Sequence, residues 1–149
     1  DTAFDDIAVA ASLPEVPVST EVDPTMIGQA MTNLVKNACE AIESLREKGV
    51  PDGHEGRVEV QLMAEPGWAV IHIVDNGIGL PEDRAKLFEP YVTTREKGTG
   101  LGLPIMKKII EEHGGQLTLS DAAPLDDSGQ VGAKAEIRLP LSNEKGAGQ

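Results

Sequence analysis

Apolar residues recur at helical spacing most clearly between positions 27 and 45. Ile27, Ala30, Met31, Leu34, Ala38, Ala41, Ile42 and Leu45 mark one face of an amphipathic helix. Asp23-Pro24 supplies its start, a capping carboxylate followed by proline at the first helical position. Gly49-Val50-Pro51 ends it near Lys48, and residues 51–56 read as a polar loop. The period then changes to two. Val58, Val60 and Leu62 alternate with Glu59 and Gln61, Pro66-Gly67 turns the chain, and residues 68–75 return with Ala69, Ile71, Ile73 and Asp75 in one phase. A short helix is expected from Pro81 to about Phe88, with Pro90 marking its end. Residues 89–100 carry no apolar period and read as a mobile loop. Residues 101–113 read as a helix with Leu103, Met106, Ile109 and Ile110 inward and Gly114-Gly115 as its stop. Strands at 116–120 and 132–141, joined by a polar connection from Asp121 to Gly129, complete the pattern. Near the start, residues 5–10 and 16–22 alternate weakly on either side of Leu13-Pro14 and read as two short strands.

Strands that arrive mostly as hairpins exclude a doubly wound parallel sheet. The expected fold is α+β, a two-layer sandwich with one mixed, mainly antiparallel sheet and helices on one face. The chain has 149 residues, enough for a single domain with a real core, expected over 1–141, and 142–149 read as a flexible tail.

Charge changes this picture only once it is placed. The formal net charge is −12, which argues against a broad basic surface for nucleic acid or an anionic membrane. Residues 84–108 nevertheless hold six basic groups against two acidic ones, a local excess of about +4 in a chain otherwise near −16. The single cysteine, Cys39, excludes an internal disulfide and suits a reducing compartment. No apolar run approaches the roughly 18–20 residues that span a bilayer.

The basic stretch surrounds Lys97-Gly98-Thr99-Gly100-Leu101-Gly102-Leu103-Pro104. Glycines at alternate positions let backbone N–H groups approach an anion, and a helix start adds the positive end of its dipole. An ordinary glycine turn has the same composition. On the long helix, Asn33, Lys36, Asn37 and Glu40 share a second face. Asparagine is a mediocre helix former, and amide oxygens suit a hard cation such as Mg²⁺; a polar solvent face would share the spacing. Asp75, in phase with Ile71 and Ile73, points a carboxylate toward the core side of the sheet. There an exocyclic amine would satisfy it: adenine offers one, whereas guanine presents a carbonyl oxygen at that position. The alternative is a turn or capping aspartate ahead of Gly77.

These stretches together resemble a known set of motifs. Met31-Thr32-Asn33-Leu34-Val35-Lys36-Asn37-Ala38 is similar to the N box of sensor histidine kinases, and Asp75-Asn76-Gly77-Ile78-Gly79 to their G1 box. Leu87-Phe88-Glu89-Pro90-Tyr91-Val92-Thr93-Thr94-Arg95 is similar to the F box, and Gly98-Thr99-Gly100-Leu101-Gly102-Leu103 to the G2 box. The order and spacing match over residues 16–141. The fold implied is the ATP-binding fold shared by gyrase, Hsp90, histidine kinases and MutL. Asn37-Ala38-Cys39-Glu40-Ala41 with Thr93-Thr94-Arg95 most resembles the nitrogen-regulation sensor kinases.

The resemblance implies ATP and Mg²⁺ as cofactors and assigns roles. Asn37 would ligate the metal, with Asn33 supporting metal or phosphate. Asp75 would accept from adenine, and Gly77 and Gly79 would let the backbone pass close to the base. Gly98, Thr99, Gly100 and Gly102, with a helix start at Leu101, would cradle the phosphates. Residues 89–100, including Thr93 and Thr94, would form a lid, Arg95 or Lys97 would meet the γ-phosphate, and Lys36 or Arg95 would supply the positive charge that Glu40 does not. ATPase relatives place a glutamate where Asn33 stands, and an amide cannot activate water, so phosphoryl transfer is expected rather than rapid hydrolysis.

Three departures accompany the match. Glu40 stands where many sensor kinases carry a basic residue, and Gly132-Ala133 stands where the family's last strand often begins with a Gly-Thr pair near the adenine, so one hydroxyl is missing. The acceptor histidine beside an acidic residue is missing: His54, His72 and His113 lie in a loop, a strand and a helix end. The segment is therefore expected to act on a histidine of a separate dimerisation and phosphoacceptor domain, and indirectly on a response regulator. A cytoplasmic, monomeric segment without nucleic-acid or direct membrane contact is expected, the parent protein being free to carry an anchor. A degenerate nucleotide-binding module and an anti-sigma serine kinase are the competing readings.

Overall fold

In a computed structural model, residues 7–14, 20, 22–49, 55–82, 102–125 and 129–141 are described. The long helix, α1, spans Pro24–Glu47. Asp23 caps it as expected: its carboxylate accepts from the N–H groups of Thr25 at 2.9 Å and Met26 at 3.2 Å, and Pro24 opens the first turn. Lys48 ends the helix and Gly49 follows at φ +89°. Its buried residues are Ala30, Leu34, Ala38, Cys39, Ala41 and Ile42, the face that the spacing predicts.

The strands are β1 (Ala8–Ser12), β2 (Arg57–Glu65), β3 (Trp68–Asp75), β4 (Gln116–Asp121) and β5 (Ala133–Pro140); a second helix, α2, spans Leu103–Glu112. They form one sheet in the order β1-β2-β3-β5-β4. β1 runs parallel to β2, and every other pairing is antiparallel, so the sheet is mixed and mainly antiparallel. β2 and β3 form the expected hairpin through Pro66-Gly67, in register from Val58↔Asp75 to Glu65↔Trp68.

Two boundaries move. The strand expected at 5–10 begins at Ala8 and runs to Ser12, all five residues exposed. With all five residues exposed, its burial does not alternate and the strand carries no phase to read. The helix expected from residue 101 begins at Leu103, because Pro104 fixes the first turn and Gly102 takes the N-cap position. Of the strand expected at 16–22, the described residues are Thr20 and Val22, and Thr20 bridges Leu141. The short helix expected after Pro81, the loop 89–100 and the tail 142–149 lie outside the described residues, apart from Pro81 and Glu82 at the helix start.

Both helices pack on one face. Leu34, Ala38, Cys39 and Ile42 of α1 and Met106 and Ile110 of α2 meet Val58, Ile73, Leu117, Ala135, Ile137 and Leu139 of the sheet in one core. α2 closes with a Schellman turn: Gly115 N–H bonds Ile110 C=O at 3.0 Å, Gly114 N–H bonds Glu111 C=O at 2.9 Å, and Gly114 sits at φ +82°. His113, at the end of α2, joins the two helices. Its Nδ1–H donates to Ile109 C=O at 2.8 Å, and its Nε2 accepts from the Asp23 N–H at 3.1 Å. Among the described residues, no helix is long and apolar enough to cross a membrane.

The opposite face of the sheet carries a polar ladder. His72 bonds Glu136 at 3.0 Å, and Arg138 bonds Glu65 at 2.9 Å and Glu136 at 3.4 Å while lying 5.4 Å over the Trp68 ring. Val70 is fully buried between its cross-strand partners Met63 and Arg138. Burial opposes ionisation of Glu136, but the hydrogen bonds and charges of His72 and Arg138 outweigh it and lower its pKa. The unfolded chain therefore binds more protons. The stabilisation is full above the unfolded-state pKa, about 4.3 for glutamate, and disappears as pH falls through the lower folded-state value. Glu136→Gln is expected to flatten the acid limb of the stability curve, read as urea midpoints from pH 6 down to pH 3. An unchanged limb would show that the ladder contributes no pH dependence.

Candidate functional site

The site grows from the C-terminal end of β3. Asp75 is the last residue of that strand and keeps the phase of Ile71 and Ile73, so its carboxylate turns toward the helices and is buried. One oxygen, Oδ1, accepts from two backbone donors: Gly77 N–H at 2.8 Å and Ala133 N–H at 3.3 Å. A buried carboxylate needs such donors, because removing it from water unpaired costs several kcal/mol. Cys39 lies nearby on α1. Burial, and then the Asp75 charge ahead of Glu40 and Glu43, pushes its thiol above the usual cysteine value.

Asn76 is buried too, and its amide extends the sheet past Asp75. Its Oδ1 accepts from the Arg57 N–H at 2.8 Å, and its Nδ2 donates to Glu55 C=O at 2.9 Å. This clamp was invisible in the sequence, where asparagine before glycine reads as a turn. The partners lie 19 and 21 residues away.

The loop after Asp75 is tied to α1. Ile78 N–H bonds Ala41 C=O at 3.0 Å. A Cβ on Gly77 would stand 2.5 Å from the Ala41 carbonyl carbon and 2.6 Å from the Ile42 nitrogen. Gly77 thus serves a helix contact, in addition to any part it plays beside a ligand. Gly79 sits at φ +86°, with Val131 C=O facing the position a Cβ would take.

Ala41 lies one turn beyond Asn37, so the loop anchors α1 close to its polar stripe. Asn33, Lys36, Asn37 and Glu40 are all half-buried on α1. Asn33 turns its Nδ2 onto Gln29 C=O at 2.8 Å. No group of three or more His, Cys, Asp or Glu is placed to hold a metal among the described residues. A metal here would be held by amide oxygen and by ligand phosphates, a donor set that fits Mg²⁺.

Gly102 is the N-cap of α2 and brings no side-chain cap. Pro104 has no N–H, and the Ile105 N–H bonds Gly102 C=O at 3.1 Å. Within the first turn, Leu103 is left with an N–H that the turn itself does not use. The anion-binding capacity of this helix end is narrower than a regular N-terminus would offer. Thr93, Thr94, Arg95, Lys97, Gly98, Thr99, Gly100 and Leu101 lie outside the described residues. The structure brings together Asp75, Gly77, Gly79 and α1 with Gly132 of the Gly132-Ala133 pair; it adds Asn76 and Gln130, to which the motifs gave no role.

Residues 22–143 match the family described as histidine kinase-, DNA gyrase B- and HSP90-like ATPase. The nitrogen regulation protein NtrY of Azorhizobium caulinodans is 48% identical over 141 residues, covering 88% of this chain and 17% of that protein. A putative NtrY-like sensor histidine kinase of Rickettsia felis is 42% identical over 120 residues, 80% of this chain and 18% of the other. The chain thus spans under a fifth of the length of these relatives. Among solved structures, a mycobacterial sensor histidine kinase, MprB, superposes with a TM-score of 0.73 at 29% identity, covering 94% of this chain and 87% of that one. The catalytic domain of the histidine kinase ThkA gives 0.71 at 28% identity, covering 94% and 82%. A mixed sheet covered on one face, an aspartate at the end of its central strand and these matches lead to one assignment: the chain belongs to the histidine kinase-, DNA gyrase B- and HSP90-like ATPase family, as an ATPase domain of the sensor histidine kinase type.

Proposed function

We propose that this chain binds Mg²⁺-ATP and transfers the γ-phosphoryl group to a histidine on a separate dimerisation and phosphoacceptor domain, within a nitrogen-regulation type of two-component kinase. The observation that carries the reading is Asp75: a buried carboxylate, fixed by two backbone donors, at the end of the central strand and beside the asparagine helix. In this reading Asp75 accepts from the adenine amine. Asn37 would ligate the metal, Asn33 would support it, Arg95 or Lys97 would meet the γ-phosphate, and Lys36 or Arg95 would supply the charge that Glu40 does not. Thr93, Thr94 and the segment Gly98–Gly102 belong to the phosphate side. The metal, when bound, would neutralise charge on the β- and γ-phosphates.

Transfer is favoured over hydrolysis because Asn33 offers no general base. A neutral imidazole needs none: its nitrogen bonds phosphorus as the bond to the bridging oxygen breaks, ADP leaves, and the ring proton passes to solvent. Positioning and charge neutralisation supply most of the acceleration. The response regulator takes the phosphoryl group afterwards, and the domain works on the cytoplasmic side, where ATP is found.

Calorimetry with Mg²⁺ is expected to show ADP and ATP binding with a clear preference over GTP. Asp75→Asn should weaken ATP binding by roughly 1–3 kcal/mol, the cost of a mispaired buried group. Equal affinity for GTP, or an unchanged constant in Asp75→Asn, would return Asp75 to a purely structural role. For transfer, the chain mixed with the separately expressed acceptor domain and labelled ATP should yield label that is lost in acid and kept in base. Acid-stable label would point to a serine acceptor.

A further inference from the structure

The connection into β5 lies against Asp75, Gly77 and Gly79 of the Asp75–Gly79 loop. Gln130 donates its Nε2 to Gly77 C=O at 2.9 Å, with a longer contact to Val131 C=O at 3.4 Å. Val131 C=O in turn faces Gly79, 3.1 Å from where a Cβ would stand. A Cβ on Gly132 would stand 2.7 Å from Asp75 Oδ1 and still nearer the Asp75 carbonyl oxygen. Ala133 N–H completes the set by bonding Asp75 Oδ1. The last registered pair of β3 and β5 is Val74↔Lys134, so at the next step the Asp75 side chain takes up the β5 donor. Gly132 is held from its other side, where Ala122 N–H bonds its carbonyl at 3.1 Å.

We infer that Gln130 is a positioning residue of the nucleotide site: by tying the segment that enters β5 to Gly77 it fixes the Asp75 carboxylate. The inference rests on the proposed pairing of Asp75 with adenine and deepens it. Discrimination between a 6-amino and a 6-oxo purine depends on a carboxylate that cannot move. A fixed oxygen accepts from the amine and repels the carbonyl. One that can swing or admit water tolerates both. Two donors from two separate segments, Gly77 and Ala133, meet on the same oxygen, so a displacement of either segment changes its aim. Gln130 ties those segments together, and Gly132 allows an approach that any larger residue would block. Ala133 brings no hydroxyl, so its segment holds Asp75 through the main chain.

The test compares ADP with inosine 5′-diphosphate, both with Mg²⁺, on the 149-residue chain by calorimetry, with melting temperatures measured in parallel. In Gln130→Ala, ADP binding should weaken about fivefold, the worth of one hydrogen bond, while inosine 5′-diphosphate binding changes little, so the preference falls by that factor. Gln130→Glu, which cannot donate to Gly77 C=O, should do the same, and Gly132→Ala should lower the preference further. In an Asp75→Asn background, Gln130→Ala should leave the preference unchanged. A merely structural role would lower the melting temperature and weaken both ligands equally, and an unaltered preference in the Gln130 variants overturns the inference. Should Gly132→Ala fail to fold, the two Gln130 variants decide the matter. Lack of any ADP preference in the unmodified chain would instead remove the adenine reading itself.

Discussion

Gly77→Ala is expected to cost about 3 kcal/mol, at the upper end of what overpacking a dense site exacts. The added methyl would meet the Ala41 carbonyl carbon at 2.5 Å, the Ile42 nitrogen at 2.6 Å and the Ala41 oxygen at 2.7 Å. These are backbone atoms inside a helix, so no side chain can rotate away. Either α1 or the end of β3 must shift, and the bond from Ile78 N–H to Ala41 C=O goes with it. For a domain of this size the loss corresponds to a fall of roughly 6–12 °C in melting temperature. Nucleotide affinity should drop with it, because Gly77 N–H also holds Asp75 Oδ1. A melting temperature within about 2 °C of the unmodified chain would show that α1 yields freely at this contact.

Asn37→Ala should have the opposite profile. On the proposed assignment it removes a metal-binding oxygen, and phosphoryl transfer to the acceptor domain should fall at least about 100-fold. Losing even the groups behind a metal ligand costs 10–100-fold. Stability should hold or rise slightly. Asn37 is only half-buried and lies within α1, where alanine is the better helix former by a few tenths of a kcal/mol. Single-turnover transfer measured beside thermal melts separates the two effects. A transfer rate within threefold of the unmodified chain would dismiss Asn37 as the metal ligand.

The contrast between these variants reflects what each residue's signal was made of. Asn37 stood out in the sequence because two asparagines on one helix face oppose local propensity. Asp75 was legible because its phase follows Ile71 and Ile73 into the core. Gly77 was assigned a place beside the base from its motif, and the main chain of α1 gives a second reason for its lack of a side chain. Gln130 carried no signal at all: it is one polar residue beside a polar connection, and its partner Gly77 lies 53 positions away. Asn76 was hidden in the same way.

By itself the sequence determined most of the described elements and the family. Hydrophobic period, Asp23-Pro24, Pro66-Gly67 and Gly114-Gly115 set the helices, the hairpin and the stops, because these are short-range steric and capping effects. The box residues identified the family, because a motif is read within a few positions. The tertiary structure alone decided the sheet order and the unpatterned edge strand β1. It alone brought the segment 130–133 against Asp75, Gly77 and Gly79. Those contacts join residues far apart in the chain through main-chain atoms, and backbone donors and acceptors are the same at every position whatever the side chain.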